Sequence, residues 1–137
     1  MTTILAIPGS WRSGSYNLAL ARAAQALAPA GCTVELASIA AIPIYDGDSE
    51  AAQGVPAPVA GLKDRIAAAD ALLLVTPEYN NSVPGPLKNA IDWLSRPASD
   101  LARVFGDKPT GLIGASPGPG GTRLAQAAWL PVLRLLG

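Results

Sequence analysis

Histidine does not occur in these 137 residues, and that absence removes Ser-His-Asp and Cys-His catalysis together with most zinc sites. Cysteine occurs once, at Cys32, so no internal disulfide can form. A lone thiol of this kind fits a reducing cytosol and is read as buried or inert. Net charge is lacking too. The 10 basic residues balance the 10 acidic ones, which offers neither a nucleic-acid surface nor a polybasic membrane patch and leaves a small molecule as the expected partner. No apolar run approaches the roughly 20 residues of a membrane span, and the N-terminus has no basic segment followed by a long apolar one. The expectation is a soluble, cytoplasmic protein of one domain, residues 1–137, long enough for a real core and without linker or repeat.

What the chain does have is a strand-helix alternation with polar loops between. Thr3 to Ile7 is short, apolar and partly β-branched, which predicts a buried strand, and Asn17 to Ala28 is rich in good helix formers. Pro29 to Gly31 stops that helix, and Thr33 to Ser38 alternates as a second strand. Ile39 to Pro58 carries Pro43, Asp46, Gly47, Gly54 and Pro56 and is read as a long surface loop near the ligand side, with Ile42 to Tyr45 packing back on the sheet. Apolar residues at 59, 62, 66 and 69 predict a helix. Asp70 to Thr76 contains Ala-Leu-Leu-Leu-Val, a central parallel strand buried on both faces. A helix starts at Pro86 and ends at Arg96-Pro97, with Trp93 on its core side. Thr110 to Ala115 is the fourth strand, and Thr122 is the expected N-cap of a last helix that Pro131 interrupts. Four strand-helix units with long crossovers mean an open, parallel α/β sheet, whose ligands lie outside the carboxyl ends of the strands.

Three polar loops fall at such ends. The first, Ile7 to Asn17, links strand to helix and offers Ser10, Ser13 and Ser15, the cation Arg12, Asn17 and no carboxylate, a donor set suited to a phosphate dianion. A helix cap alone would need one hydroxyl. The loop lacks the Gly-Lys-Ser/Thr ending of a Walker A motif and is not the dinucleotide fingerprint. The second loop is Pro77-Glu-Tyr-Asn-Asn-Ser-Val-Pro-Gly-Pro86, where Glu78 is read as acting through backbone amides, with a general acid or base as the alternative. The third is Ser116-Pro-Gly-Pro-Gly-Gly121, whose glycines let a flat ligand approach closely.

The residues Gly9-Ser-x-Arg-x-x-Ser15-x-Asn17 and the run from Pro77-Glu-Tyr-Asn-x-Ser-x-Pro-Gly through Leu87-Lys-Asn-Ala-Ile-Asp-Trp93 resemble the NADPH-dependent FMN reductase family. The resemblance extends from Ile4 to about Arg123. It implies a flavodoxin-like, three-layer α/β sandwich with a parallel sheet of order 2-1-3-4, and a fifth strand and terminal helix that a chain ending at Gly137 lacks. The expectation is therefore a shortened chain, or one whose gap a partner subunit covers, with Leu130, Val132, Leu133, Leu135 and Leu136 poorly covered. The resemblance further implies that Ser10, Arg12, Ser15 and Asn17 hold the FMN phosphate, with Tyr16 beside them also binding the cofactor. Pro77, Glu78, Tyr79 and Asn80 would line the ribityl chain and ring edge, and Ser116, Gly118, Gly120 and Gly121 the other side of the ring. The implied activity is NAD(P)H oxidation through FMN, with NADPH or NADH as donor and a quinone, flavin, azo compound or metal oxyanion as acceptor, in a homodimer or homotetramer. No side-chain nucleophile is needed, because the flavin carries the chemistry. The competing readings are a non-enzymatic flavin carrier, which the zero net charge disfavours, and a phosphate-ester enzyme, which would have no histidine and no cysteine in the first loop.

Overall fold

A computed structural model describes Met1–Gly137. Its order is β1 (Thr2–Pro8), α1 (Tyr16–Ala26), β2 (Cys32–Leu36), α2 (Gly47–Gln53), α3 (Ala57–Ala68), β3 (Ala71–Val75), α4 (Gly85–Leu94), α5 (Leu101–Val104), β4 (Thr110–Ile113) and α6 (Arg123–Leu136). The four strands pair in parallel in the order β2-β1-β3-β4. This is the flavodoxin-like sheet that the sequence resemblance implies. The chain first crosses outward from β1 to β2 and then back past β1 to β3. With right-handed crossovers, that reversal puts α1 on one face and α3 and α4 on the other. The same reversal leaves the carboxyl ends of β1 and β3 side by side at the switch point.

The core is what the apolar runs predict. Leu5 and Ile7 of β1, Leu72 and Leu74 of β3, and Val59, Leu62 and Ile66 of α3 are buried, joined by Leu87, Ala90, Ile91 and Leu94 from one face of α4. Trp93 is a core residue as expected, and its indole N–H donates to the Pro43 carbonyl at 2.9 Å. Lys63 is also buried. Its ammonium is satisfied by the Arg96 carbonyl and by Asp100, which it meets at 2.9 Å. Hydrogen bonds from Arg103 and then from Lys63 hold the Asp100 carboxyl well below the usual carboxylate range.

Three features differ from the sequence expectations. The segment 39–58 is not all loop, since α2 forms within it from the Asp46 cap, whose carboxylate accepts from the Asp48 N–H at 2.9 Å. A short helical stretch, a 3-10 turn at Ala98–Asp100 running into α5, follows α4. Helix α6 runs through Pro131 without a break. Pro131 and Ala127, whose carbonyl loses its partner, are both exposed, so water can replace the missing bond. The apolar tail is covered in part: Val132, Leu133 and Leu136 pack against the core, whereas Leu130 and Leu135 are 63% and 82% exposed.

Candidate functional site

The first loop leaves β1 beside β3, where the Gly9 N–H donates to the Val75 carbonyl at 2.9 Å. A Cβ on Gly9 would come within 2.7 Å of the Pro77 ring and 3.0 Å of Leu87, so only glycine lets the first and second loops touch. Beyond it, the backbone N–H groups of Ser10, Trp11, Arg12, Ser13 and Gly14 find no acceptor within the protein. Ser15 caps α1: its Oγ accepts from the Leu18 N–H at 3.1 Å, which leaves the hydroxyl hydrogen free to donate. Arg12 is exposed and forms no ion pair, whereas Lys63, Arg65, Lys88, Arg96 and Arg103 are each paired with a carboxylate elsewhere in the fold. Free amides, a free cation and a helix N-terminus at one place attract an anion.

The second loop makes a tight reversal. Tyr79 and Ser82 exchange backbone hydrogen bonds at 3.2 and 3.0 Å, and between them Asn80 and Asn81 have φ of 51° and 59°. Two consecutive left-handed residues define a type I′ turn, a conformation that asparagine tolerates better than other non-glycine residues. The Glu78 side chain turns away from solvent chemistry. Its Oε2 accepts from the N–H groups of Leu124 and Ala125 at 2.9 and 3.0 Å, the exposed amides of the first turn of α6. Thr122, which occupies the N-cap position as predicted, supplies no capping bond.

The third loop is held from the first. Asn17 is 3% exposed, and its amide pairs with both backbone groups of Ala115, donating to the carbonyl at 3.0 Å and accepting from the N–H at 2.9 Å. Ser116 Oγ donates to the Gly121 carbonyl at 2.9 Å. Two adjoining cavities open along the three loops. The smaller, about 150 Å³, is lined by Ser10, Arg12, Ser15, Tyr16, Asn17, Pro77, Glu78, Tyr79 and Ser116, along with Ala115 and Pro117. The larger, about 480 Å³ and mainly apolar, shares Ser10 and Tyr79 with it and extends toward Trp11, Ile39, Ile42, Ile44, Pro86 and Asn89.

The model of the NADPH-dependent FMN reductase family matches residues 2–137. The chain belongs to that family. Over 123 residues it is 50% identical to an NAD(P)H-dependent FMN reductase of Pseudomonas aeruginosa, covering 90% of this chain and 64% of that protein. Over 124 residues it is 44% identical to a 2-hydroxy-1,4-benzoquinone reductase of a Burkholderia species, covering 90% of this chain and 66% of the relative. The chain thus spans about two thirds of the length of these relatives. Among solved structures, it superimposes over its whole length on FerB, a flavoenzyme NAD(P)H:(acceptor) oxidoreductase from Paracoccus denitrificans, with a TM-score of 0.90, 41% identity and 73% of that chain covered.

Within this family member, most of the residues singled out in the sequence gather on one wall. Ser10, Arg12, Ser15, Tyr16, Asn17, Pro77, Glu78, Tyr79 and Ser116 all line the smaller cavity, while Asn80, Gly118, Gly120 and Gly121 lie outside its lining. The sequence reading assigned no role to the apolar cavity beside it. Ile39, Ala40, Ile42 and Ile44 of its walls come from the loop after β2, a strand end next to the switch point, and that position was the available signal. Asn89 fixes this loop, donating to the Pro43 carbonyl and accepting from the Tyr45 N–H, both at 2.8 Å. Tyr45 stands edge-on to Trp93 with ring centroids 4.9 Å apart, and its hydroxyl donates to Glu50 at 2.9 Å. That bond, followed by the pairing with Arg96, draws the Glu50 carboxyl below its usual range.

Proposed function

We propose that this protein is an FMN-dependent NAD(P)H oxidoreductase that passes reducing equivalents to a small acceptor such as a quinone, flavin, azo compound or metal oxyanion. The observation that carries the reading is the row of unpaired amides from Ser10 to Gly14, next to a free Arg12 and the free hydroxyl hydrogen of Ser15. These groups fit a phosphate dianion, the charged end of FMN. The printed activities of the relatives support the same assignment.

Bound FMN would accept hydride from the nicotinamide and return electrons to the acceptor. The chain's own part is to bind and orient. Arg12, Ser10 and Ser15 hold the phosphate, and the N-terminal end of α1 favours its charge. The backbone N–H groups of Glu78 and Asn80 have no acceptor within the protein and would be available to polar edge atoms of a flat ring. Ser10 and Tyr79, common to both cavities, put a ligand anchored in the smaller one in reach of the larger, whose apolar walls exclude water from the reacting face. Glu78 commits Oε2 of its carboxylate to the first turn of α6. We also place the protein in the cytoplasm as a homodimer or homotetramer, on its single cysteine and on the family resemblance.

The test is to mix the purified protein with FMN, NADPH and a benzoquinone and follow NADPH absorbance. Bleaching that requires both FMN and protein is the expected result. Binding of FMN without NADPH oxidation would leave the flavin-carrier reading in its place.

A further inference from the structure

Two residues that the sequence places in the ligand site, Asn17 and Glu78, use their side chains to hold the protein's own backbone. We propose that Asn17 and Glu78 are positioning residues that clamp the third loop and the start of α6 between the other two loops, so that the site stands preformed before any ligand arrives. This rests on the FMN reading for its functional consequence, though not for its structural part.

Asn17 acts as a surrogate strand residue. With its Oδ1 and Nδ2 both paired to Ala115, it continues the β4 ladder sideways onto the first turn of α1, across 98 residues of sequence. One Nδ2 hydrogen is committed to the Ala115 carbonyl, which fixes the orientation of the amide; the second Nδ2 hydrogen and the backbone N–H in the first turn of α1 stay free. Glu78 does the corresponding job on the other side. The amides of Leu124 and Ala125 need an acceptor, Thr122 does not provide one, and its hydroxyl instead accepts from Gln126 at 3.0 Å. A carboxylate from the second loop therefore caps α6 in trans, and its charge lies at the positive end of a 14-residue helix. Between these two ties, the exposed stretch from Pro117 to Gly120 is held by few bonds: Ser116 to Gly121, Gly121 to Gly118, and a long one of 3.5 Å from the Arg123 N–H to the Gly120 carbonyl. Removing either tie frees one end of a glycine-rich loop, which must then be ordered at the moment of binding.

The experiment is hydrogen exchange on the FMN-free protein together with FMN titration, in wild type, Asn17→Ala, Glu78→Ala and Glu78→Gln. Asn17→Ala should speed exchange of the Ala115 amide by about tenfold, and Glu78→Ala that of Leu124 and Ala125 by a similar factor, the scale of one lost hydrogen bond. FMN affinity should fall by about tenfold in both alanine variants. Glu78→Gln, which keeps an acceptor oxygen, should restore most of the protection and affinity. Unchanged Ala115 exchange in Asn17→Ala alongside weakened FMN binding would make Asn17 a direct phosphate ligand and overturn the clamp. A Gln variant that binds FMN normally but turns over as poorly as the Ala variant would make Glu78 an acid-base group and overturn it too. A wild-type chain that binds no FMN would end the functional reading, while the exchange data would still decide the clamp. Should Glu78→Ala fail to fold, Asn17→Ala and Glu78→Gln carry the test.

Discussion

Thr76 directly follows β3, fully buried, with its hydroxyl accepting from the Trp129 indole N–H at 3.0 Å and donating to the Pro77 carbonyl at 2.8 Å. This one oxygen ties α6 to the second loop from below. Thr76→Val keeps the shape and β-branching and removes only the hydroxyl. Trp129 is 0% exposed, so its N–H is left buried without an acceptor. An orphaned buried donor costs about 1–3 kcal/mol, and the lost bond to Pro77 adds about 1 kcal/mol at most, for a total of about 1–4 kcal/mol. At roughly 3–5 °C per kcal/mol for a chain of this size, the melting temperature should fall by about 3–20 °C. Urea unfolding of Thr76→Val, Trp129→Phe and the double variant forms a cycle that isolates the pair. Because Phe removes the stranded donor, the double variant should be more stable than the sum of the singles by about 1 kcal/mol or more. A single-variant cost under about 0.5 kcal/mol, or strict additivity, would refute the reasoning.

Other consequences follow from the same geometry. A Cβ on Gly114 would come within 2.1 Å of Thr122 Oγ1 and 2.2 Å of the Thr76 carbonyl, so Gly114→Ala should cost about 3 kcal/mol in urea unfolding; a cost below about 1 kcal/mol would show that the β4 end yields freely. The Glu50 carboxyl is held below its usual range by Tyr45 and Arg96, so its contribution to stability is complete above the ordinary carboxylate range and is lost as the pH falls below it. Glu50→Gln should accordingly flatten the loss of stability between neutral pH and about pH 3, read as urea midpoints, while an unchanged acid slope would remove this group from the balance.

The parallel sheet was legible because β1 and β3 are short apolar runs bounded by polar loops, a pattern that only strands buried on both faces require. Helix α4 was equally plain from the spacing of Leu87, Ala90, Ile91 and Leu94. Helix α2 was not. None of its seven residues is buried, so it shows no apolar period, and it rests on the Asp46 cap. The anion cradle could be read from Ser10, Arg12 and Ser15 because its donors are local in sequence. The side-chain partners of Asn17 and Glu78 could not, since they lie 98 and 46–47 residues away, and a donor-rich loop looks the same whether its amides face a ligand or the protein.

The central claim is that the first loop binds the FMN phosphate through Arg12 and the free amides around it. Titrating the FMN-free protein with FMN, in wild type and in Arg12→Ala, tests it by visible absorbance and flavin fluorescence. The expected result is saturable binding by wild type that weakens by about 10- to 150-fold in the variant, the loss of one charge-assisted hydrogen bond of about 1.5–3 kcal/mol. Equal affinity in the two proteins, or no binding by wild type, would contradict it.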